Sequence, residues 1–325
     1  MQHIKSILVL GFLFVSSASI AQYTEVINSN RPGVSKAAFS VGTNVLQFEL
    51  GAFSVKEEHT PLNYDVSGFG IDFAARFGLL LEELEINVEG VYQNDSFSFN
   101  NAAESSRSNF RSFTIGAKYL VYDPYKNAEE DKPNLYSYHA NRKFKWKSLI
   151  PAVSVFLGGN FDTENNPFVP YNPIFPRSNE GGFSPKVMIA TQNNFSGGWV
   201  FVMNFLKDRI GTDFSDFQYI LTLTHSFSDQ WVVFGEAQGI QSDFYADNIF
   251  RFGGAYLWSK DFQLDANIAF NTKDTPSVFN IAFGASYRLD WHKDKEIDNG
   301  GNSDDKTDTS NRKRNKRKKK TDFGK

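Results

Sequence analysis

Residues 277–291 limit the fold most strongly, because apolar and polar side chains alternate there at every second position. A period of two fits a β-strand and does not fit an α-helix, whose period is 3.6 residues. One face carries Phe279, Ile281, Phe283, Ala285, Tyr287 and Leu289, and the other carries Asn280, Ala282, Gly284, Ser286 and Arg288. The second face is too polar for a soluble core. The pattern therefore predicts a membrane-spanning strand of a β-barrel, with lipid on one side and a wet lumen on the other.

Eleven earlier segments share this pattern, and most have about the 9–11 residues that a tilted strand needs to cross lipid. The predicted strands are 45–55, 66–78, 84–93, 111–122, 148–160, 185–195, 199–207, 217–227, 231–242, 248–259, 262–271 and 277–289. An even number of strands returns the chain to its starting side. We predict an all-β fold, a transmembrane antiparallel up-and-down β-barrel of about 12 strands over residues 45–289. The competing architecture is a soluble β-sandwich or a periplasmic lipid-binding barrel, whose core the aromatic faces would have to fill.

The connections between the predicted strands indicate how the barrel is oriented. Those after the sixth, eighth and tenth strands are short, whereas those after the third (94–109), fifth and seventh are longer. Short turns face the periplasm in bacterial barrels, and the long connection 123–147 is the exception to this rule. All five tryptophans fall at strand ends assigned to the periplasm, as expected for a membrane interface. They are Trp146, Trp199, Trp231, Trp258 and Trp291.

Two terminal regions lie outside the predicted barrel. Residues 1–21 combine a basic Lys5, a short apolar run and a small-residue cleavage site before Gln22, which predicts a signal peptide and export. Residues 22–44 are an irregular N-terminal segment. Residues 290–325 are predicted to form a disordered basic tail in the periplasm.

The tail contains a run of eight basic residues within 312–320. Behind a signal peptide, nucleic acid is excluded as its partner. The expected partners are anionic lipid headgroups, the cell-wall polymer or an acidic periplasmic protein, and the alternative is a solvated tail without a partner. The candidate contact residues are Arg312, Lys313, Arg314, Lys316, Arg317, Lys318, Lys319 and Lys320.

The polar faces of the strands define a predicted lumen lining with charges of both signs. The lining residues are Glu49, Asp72, Arg76, Glu85, Glu89, Lys118, Glu236, Arg251, Asp265 and Arg288. One interpretation is that they pair with each other, because unpaired enclosed charge is costly. The other is a selectivity lining, in which the acidic majority of 6 to 4 favours cations or neutral solutes over anions.

A second candidate site is the Pro- and aromatic-rich connection 163–184, which suits a semi-rigid lid at the barrel mouth. Its candidate ligand contacts are Phe168, Tyr171 and Phe175, and the alternative is a surface loop without a ligand. We predict no enzymatic activity. His225 and Ser226 point to opposite faces of their strand, and no catalytic motif is present. The chain has no cysteine and five histidines, so we predict neither a metal nor a cofactor.

Two groups of residues resemble known families. Residues 284–289 (GASYRL) resemble the terminal insertion signal of outer-membrane barrels, which implies the barrel-insertion machinery and outer-membrane lipids as partners. Residues 30–33 (NRPG), 39–41 (FSV) and 46–51 (LQFELG) resemble the start of the transporter family named for the meta-cleavage pathway of phenol degradation, with Asn30 in place of the usual Asp. This second resemblance implies an outer-membrane transporter or channel of a Gram-negative bacterium for small, hydrophobic or aromatic solutes. The alternative function is an accessory barrel whose tail binds a periplasmic partner.

Overall fold

The computed structural model describes residues 26–100, 102–125, 146–171 and 182–292. The predicted signal peptide and residues 293–325 of the tail lie outside these ranges. Among the residues described, no helix has the length and apolarity needed to cross a bilayer.

Twelve antiparallel strands form a closed barrel in which each strand pairs with its sequence neighbours and β1 pairs with β12. The strands are β1 Val45–His59, β2 Tyr64–Gly78, β3 Leu84–Phe99, β4 Ser105–Tyr122, β5 Ala152–Asp162, β6 Gly182–Phe195, β7 Trp199–Asp208, β8 Asp216–Ser226, β9 Trp231–Ser242, β10 Ala246–Ser259, β11 Phe262–Asn271 and β12 Ser277–Asp290. The predicted fold is confirmed, and a two-sheet sandwich is excluded because the sheet closes on itself.

Several predicted boundaries differ from the structure: β1 ends at His59 instead of Val55, and β6 starts at Gly182 instead of Pro185. Residues 94–109 are not a loop, because β3 continues to Phe99 and β4 starts at Ser105. The outer face of this part of β3 carries Asn94, Ser96 and Ser98, so its sequence lacks the apolar outer face of a lipid-facing strand, and a cross-strand ion pair between Asp95 and Arg107 adds to the backbone pairing. The fifth strand starts at Ala152 instead of Ser148, after a 3₁₀ turn at Trp146–Leu149 and Pro151, which has no N–H to donate to a ladder.

The two faces of the barrel differ as the alternation predicts. Phe283 on the outer face of β12 is 65% exposed, whereas Arg76 on the inner face of β2 is fully buried. All five tryptophans lie at the rim where β1 begins and β12 ends, which we call the N-terminal rim; the opposite edge is the far rim. Exposed aromatics at one rim of an apolar belt indicate a membrane interface.

Side chains and a segment of the chain occupy much of the interior. On the β5–β8 side, inward apolar side chains form a small core. Its members are Phe156, Met188, Ala190, Leu206 and Ile220. The rest of the interior is polar and encloses residues that precede β1.

Candidate functional site

Residues 26–44, which we call the plug segment, run through the barrel lumen. Its backbone is bound at several levels of the wall: Ile27 N–H donates to the Lys260 carbonyl (2.8 Å), and Val41 N–H donates to the Glu85 carboxylate (2.9 Å). Between them, Ala38 N–H donates to the Gln192 side chain (3.2 Å). The irregular segment predicted from the sequence is therefore the part of the chain that occupies the lumen.

Arg31 is the central anchor of the plug segment. Its guanidinium donates to both carboxylate oxygens of Asp265 (3.0 and 3.1 Å) and also to Asp72. Gly51 and Gly284, which pair directly across β1 and β12, provide the space for this guanidinium. A Cβ added to either glycine would lie 2.3 Å from a guanidinium nitrogen. The two glycines thus provide the space, and the two carboxylates the charge, for a site that binds the guanidinium of Arg31.

Glu236 on β9 binds the plug segment just C-terminal to Arg31, at Val34 and Ser35. Its carboxylate accepts N–H donation from Val34 (3.1 Å) and Ser35 (3.2 Å) and also pairs with Arg251 (3.1 Å). Gly33 lies so close that an added Cβ would be 2.5 Å from a Glu236 oxygen. A carboxylate with this many donors stays satisfied although it is buried.

A buried charge cluster contacts the plug segment from the barrel wall. It consists of Arg76, Glu85 and Lys118. Arg76 makes a two-pronged contact with Glu85 (2.9 Å for both bonds), and its Nη1 also donates to the Asn28 carbonyl (2.7 Å). Lys118 lies 3.4 Å from Glu85 and donates to the carbonyls of Ala37 and Phe39, both at 2.9 Å. The wall cations therefore bind carbonyl groups of the plug segment as well as carboxylates.

Lys36, the second charged residue of the plug segment, begins a chain of ion pairs between alternating cations and carboxylates. Its ammonium pairs with Glu89 and lies 4.5 Å from the centre of the Phe156 ring. Glu89 also contacts Lys186 (3.4 Å), which in turn lies 3.7 Å from Asp208. This chain of ion pairs extends from the plug segment towards the far rim.

The structure places all ten predicted lining residues on the inner face and brings nine of them to the plug segment or into direct pairs around it. Arg288 lies apart, near the N-terminal rim, where it pairs with Asp261 (2.9 Å) and Asp290 (3.5 Å). The acidic excess of that set is balanced by Arg31 and Lys36, which the sequence analysis did not include. A role for these residues in lining an open path stays a prediction.

The described part of the mouth loop, residues 163–171, folds inward at the far rim. Phe168 is buried and lies 5.2 Å from the Arg107 guanidinium, while the Tyr171 hydroxyl donates to Asp216 (2.7 Å). The Tyr171 ring stacks on Tyr245 at 5.3 Å. Burial and the neighbouring Asp216 carboxylate raise the pKa of the Tyr171 phenol, so it stays a neutral donor. Phe175 lies outside the described residues, and ligand contact by this loop stays a prediction.

The remaining predicted features are His225 and the basic tail. His225 stacks on Trp199 (4.1 Å between ring centres) on the outer face near the N-terminal rim, as expected of an interfacial histidine. The eight candidate contact residues of the tail lie outside the described residues.

Arg31, which the sequence analysis did not include among the site residues, lies in the motif that carried the family resemblance. In 30–33 (NRPG), Asn30 N–H donates to Glu49 and Arg31 binds Asp72 and Asp265. In 46–51 (LQFELG), Gln47 donates to the Asn28 carbonyl and Gly51 makes room for Arg31. The two halves of the motif therefore bind each other. The sequence did contain one signal for a binding role of Arg31: the predicted lining has more acidic than basic residues, so cations from another part of the chain are needed to pair with them.

Substituting Gly284 by alanine is expected to displace Arg31 rather than the strand, because the guanidinium is the movable partner. Gly284→Ala and Gly51→Ala should each loosen the plug segment and raise ion conductance in planar bilayers. Gly235→Ala is the matched control, since its added Cβ would meet only Phe252 at an ordinary 3.4 Å. In an Arg31→Met background, Gly284→Ala should have no further effect; an additive effect would contradict this geometry.

A closed 12-stranded barrel with an apolar outer belt, a tryptophan-lined rim and a polar interior defines an outer-membrane β-barrel. More narrowly, the chain belongs to the family described as "Putative MetA-pathway of phenol degradation", whose model matches residues 29–289. The resemblance carried by the N-terminal motif is thereby confirmed. No curated protein sequence matches this chain.

One solved structure shows the same fold at low sequence identity, and two others are less similar. An outer membrane channel from Pseudomonas putida F1 is 9% identical, with a TM-score of 0.50 over 81% of this chain and 100% of that chain. The translocator domain of the autotransporter NalP from Neisseria meningitidis is 11% identical, with a TM-score of 0.43 over 76% of this chain and 89% of that one. A mutant of TodX, named a monoaromatic hydrocarbon channel, is 8% identical, with a TM-score of 0.40 over 82% and 96%.

Proposed function

We propose that this protein is an outer-membrane channel for small solutes whose lumen is closed by the plug segment and opens when that segment moves. One observation carries the proposal. Between residues 28 and 41, every described hydrogen bond from the plug segment to the wall involves at least one side chain. The segment is therefore not part of the strand ladder.

This mode of attachment makes release of the plug segment compatible with an intact barrel. The strand pairing that closes the sheet, including β1 with β12, does not include residues 28–41. Most of the vacated wall would be polar, and water can hydrate polar side chains that lose their partners. An apolar core would instead resist opening, because its exposure to water carries the full hydrophobic cost.

The proposed solutes are small molecules, and the reference to phenol degradation in the family description makes aromatic compounds the first class to test. A catalytic function has no support from the charged groups around the plug segment, which are engaged with each other and with that segment. The accessory-barrel alternative is not favoured, because the contacts that organise this structure lie in the lumen. Contact of the tail with an acidic partner or with lipid headgroups stays a separate proposal.

The test is removal of residues 22–38 from the mature protein, followed by conductance measurements in planar bilayers. We expect the truncated barrel to conduct several-fold more than the full-length barrel. Deleting residues 311–325 is the matched control, because it removes a similar length of chain and should leave conductance unchanged. Heat-modifiable migration on a gel confirms that each variant is folded. A folded barrel without residues 22–38 that conducts no better than the full-length protein would rule the proposal out.

A further inference from the structure

We infer that the far-rim half of the lumen contains a binding site for an organic anion with a flat apolar body, such as an aromatic carboxylate, anchored by Arg111. The inference deepens the proposed channel function, on which it rests, by giving the substrate class. The supporting observations are a bulge in β4, the pairing of the other lumen cations and the aromatic surroundings.

A β-bulge directs Arg111 into the lumen. The register between β3 and β4 pairs Val91 with Ser112 and Tyr92 with Phe110, so Arg111 is the extra residue without a partner on β3. Strict alternation from the outward Phe113 would place Arg111 on the lipid face. Instead, its Nη1 donates to the side chain of the buried Gln93 (3.1 Å). Bulges commonly re-aim a side chain near a functional site.

Arg111 differs from the other cations of the lumen, because among the described residues no carboxylate lies within ion-pair distance of it. Except for Lys273, whose ammonium donates to the Ala246 carbonyl, each of the others has at least one carboxylate partner. They are Arg31, Lys36, Arg76, Arg107, Lys118, Lys186, Arg209, Arg251 and Arg288. Arg111 is also exposed, and with a single bond to Gln93 it keeps donors free among the five N–H groups of its guanidinium.

Aromatic rings lie at the same end of the lumen as Arg111. Gln93, which accepts from Arg111, also donates to Asp95. Asp95 binds Arg107, whose guanidinium lies 4.5 Å from the centre of the Phe97 ring. At the same rim Tyr245 is stacked on Tyr171 and lies 4.5 Å from the ammonium of Lys273. Tyr64 and Phe97, 5.9 Å apart between ring centres, belong to the apolar cluster of β1–β3 at the same end of the lumen. Flat apolar surfaces beside a cation favour a ligand that combines a ring with a negative group.

The carboxylates at this end of the lumen do not compete for Arg111, because each already has another partner. Glu57 accepts from the Tyr64 hydroxyl (2.7 Å), Asp247 accepts from Tyr245 (2.5 Å), and Asp95 is held by Arg107 (2.8 Å). A ligand carboxylate could therefore take the guanidinium face that the protein leaves open. The expectation from the acidic lining, which favoured cations or neutral solutes, does not extend to this end of the lumen.

The test measures binding of benzoate to the full mature protein in lipid nanodiscs by isothermal titration calorimetry, with benzyl alcohol as a neutral probe of similar size. Arg111→Gln should weaken benzoate binding about tenfold or more, the effect typical of losing a charged hydrogen bond, and leave benzyl alcohol unchanged. Lys207→Gln is the matched control, because it removes the same charge from the exposed outer face of β7 and should change neither probe.

Three results would overturn the inference: equal benzoate affinity in wild type and Arg111→Gln, wild-type affinity for benzoate no higher than for benzyl alcohol, or no detectable benzoate binding. Binding is measured independently of conductance. If deletion of residues 22–38 leaves conductance unchanged but benzoate still requires Arg111, the channel proposal fails while the anion site stands.

Discussion

Replacing Arg31 by methionine should convert the closed barrel into one that conducts, because it removes the main anchor of the plug segment. Asp265, whose side chain is fully buried, and Asp72 would both lose their cation. Breaking a buried ion pair typically costs 3–5 kcal/mol, and we expect about 2–4 kcal/mol here because Asp72 is partly exposed. This loss shifts the ratio of docked to released plug segment by roughly 30- to 700-fold.

The measurement is the open probability of single channels in planar bilayers. Val34→Ala is the matched control: Val34 lies in the same segment, its side chain is exposed, and its N–H contact with Glu236 is kept. The triple variant Arg31→Met, Asp72→Asn, Asp265→Asn removes the unpaired charges and should return part of the closed population. Wild-type open probability in a folded Arg31→Met barrel would show that Arg31 does not hold the plug segment.

Replacing Arg76 by methionine should destabilise the folded barrel itself. Arg76 is fully buried and bridges Glu49 on β1 (3.2 Å) and Glu85 on β3 (2.9 Å), so its loss leaves two carboxylates close together inside the protein. Removing one partner of a buried ion pair costs about 3–5 kcal/mol. The unfolding midpoint in urea, followed by heat-modifiable migration in detergent, should fall accordingly.

The control for this prediction is Lys56→Met, which removes a cation from an exposed position on β1 and should leave the midpoint within experimental error. A partial rescue is expected from Arg76→Met combined with Glu49→Gln, since it removes the carboxylate whose only ion pair is with Arg76 and leaves Glu85 paired with Lys118. A midpoint for Arg76→Met equal to that of Lys56→Met would show that the cluster does not contribute to stability.

The barrel could be predicted from the sequence because lipid imposes a simple rule on each strand. Residues 231–242 and 262–271 were predicted with the bounds that the structure gives, since their apolar faces meet lipid along their whole length. The prediction failed at residues 94–109, where the β3–β4 ribbon has no apolar outer face and is joined by backbone pairing and by Asp95 with Arg107. Because alternation identifies a strand only where one face contacts lipid, it cannot predict a strand in such a segment.

The charged residues of the lumen could likewise be predicted, but their partners could not. Alternation placed Asp72 and Asp265 on the inner face, and only the closed sheet brought both to Arg31. The bulge at Arg111 had no visible signal, because one extra residue reverses the face of a side chain without changing the composition of the strand.

The sequence by itself determined that this chain forms a two-faced barrel, because the sorting of apolar and polar side chains is local and repeats at every second residue. Tertiary structure alone decided that residues 26–44 lie inside the lumen and that, among the arginines that the structure describes there, Arg111 lacks a carboxylate partner. Both depend on contacts between residues far apart in the chain, such as Arg31 with Asp265, 234 positions apart. No local pattern records which distant group a charge will meet once the sheet has closed.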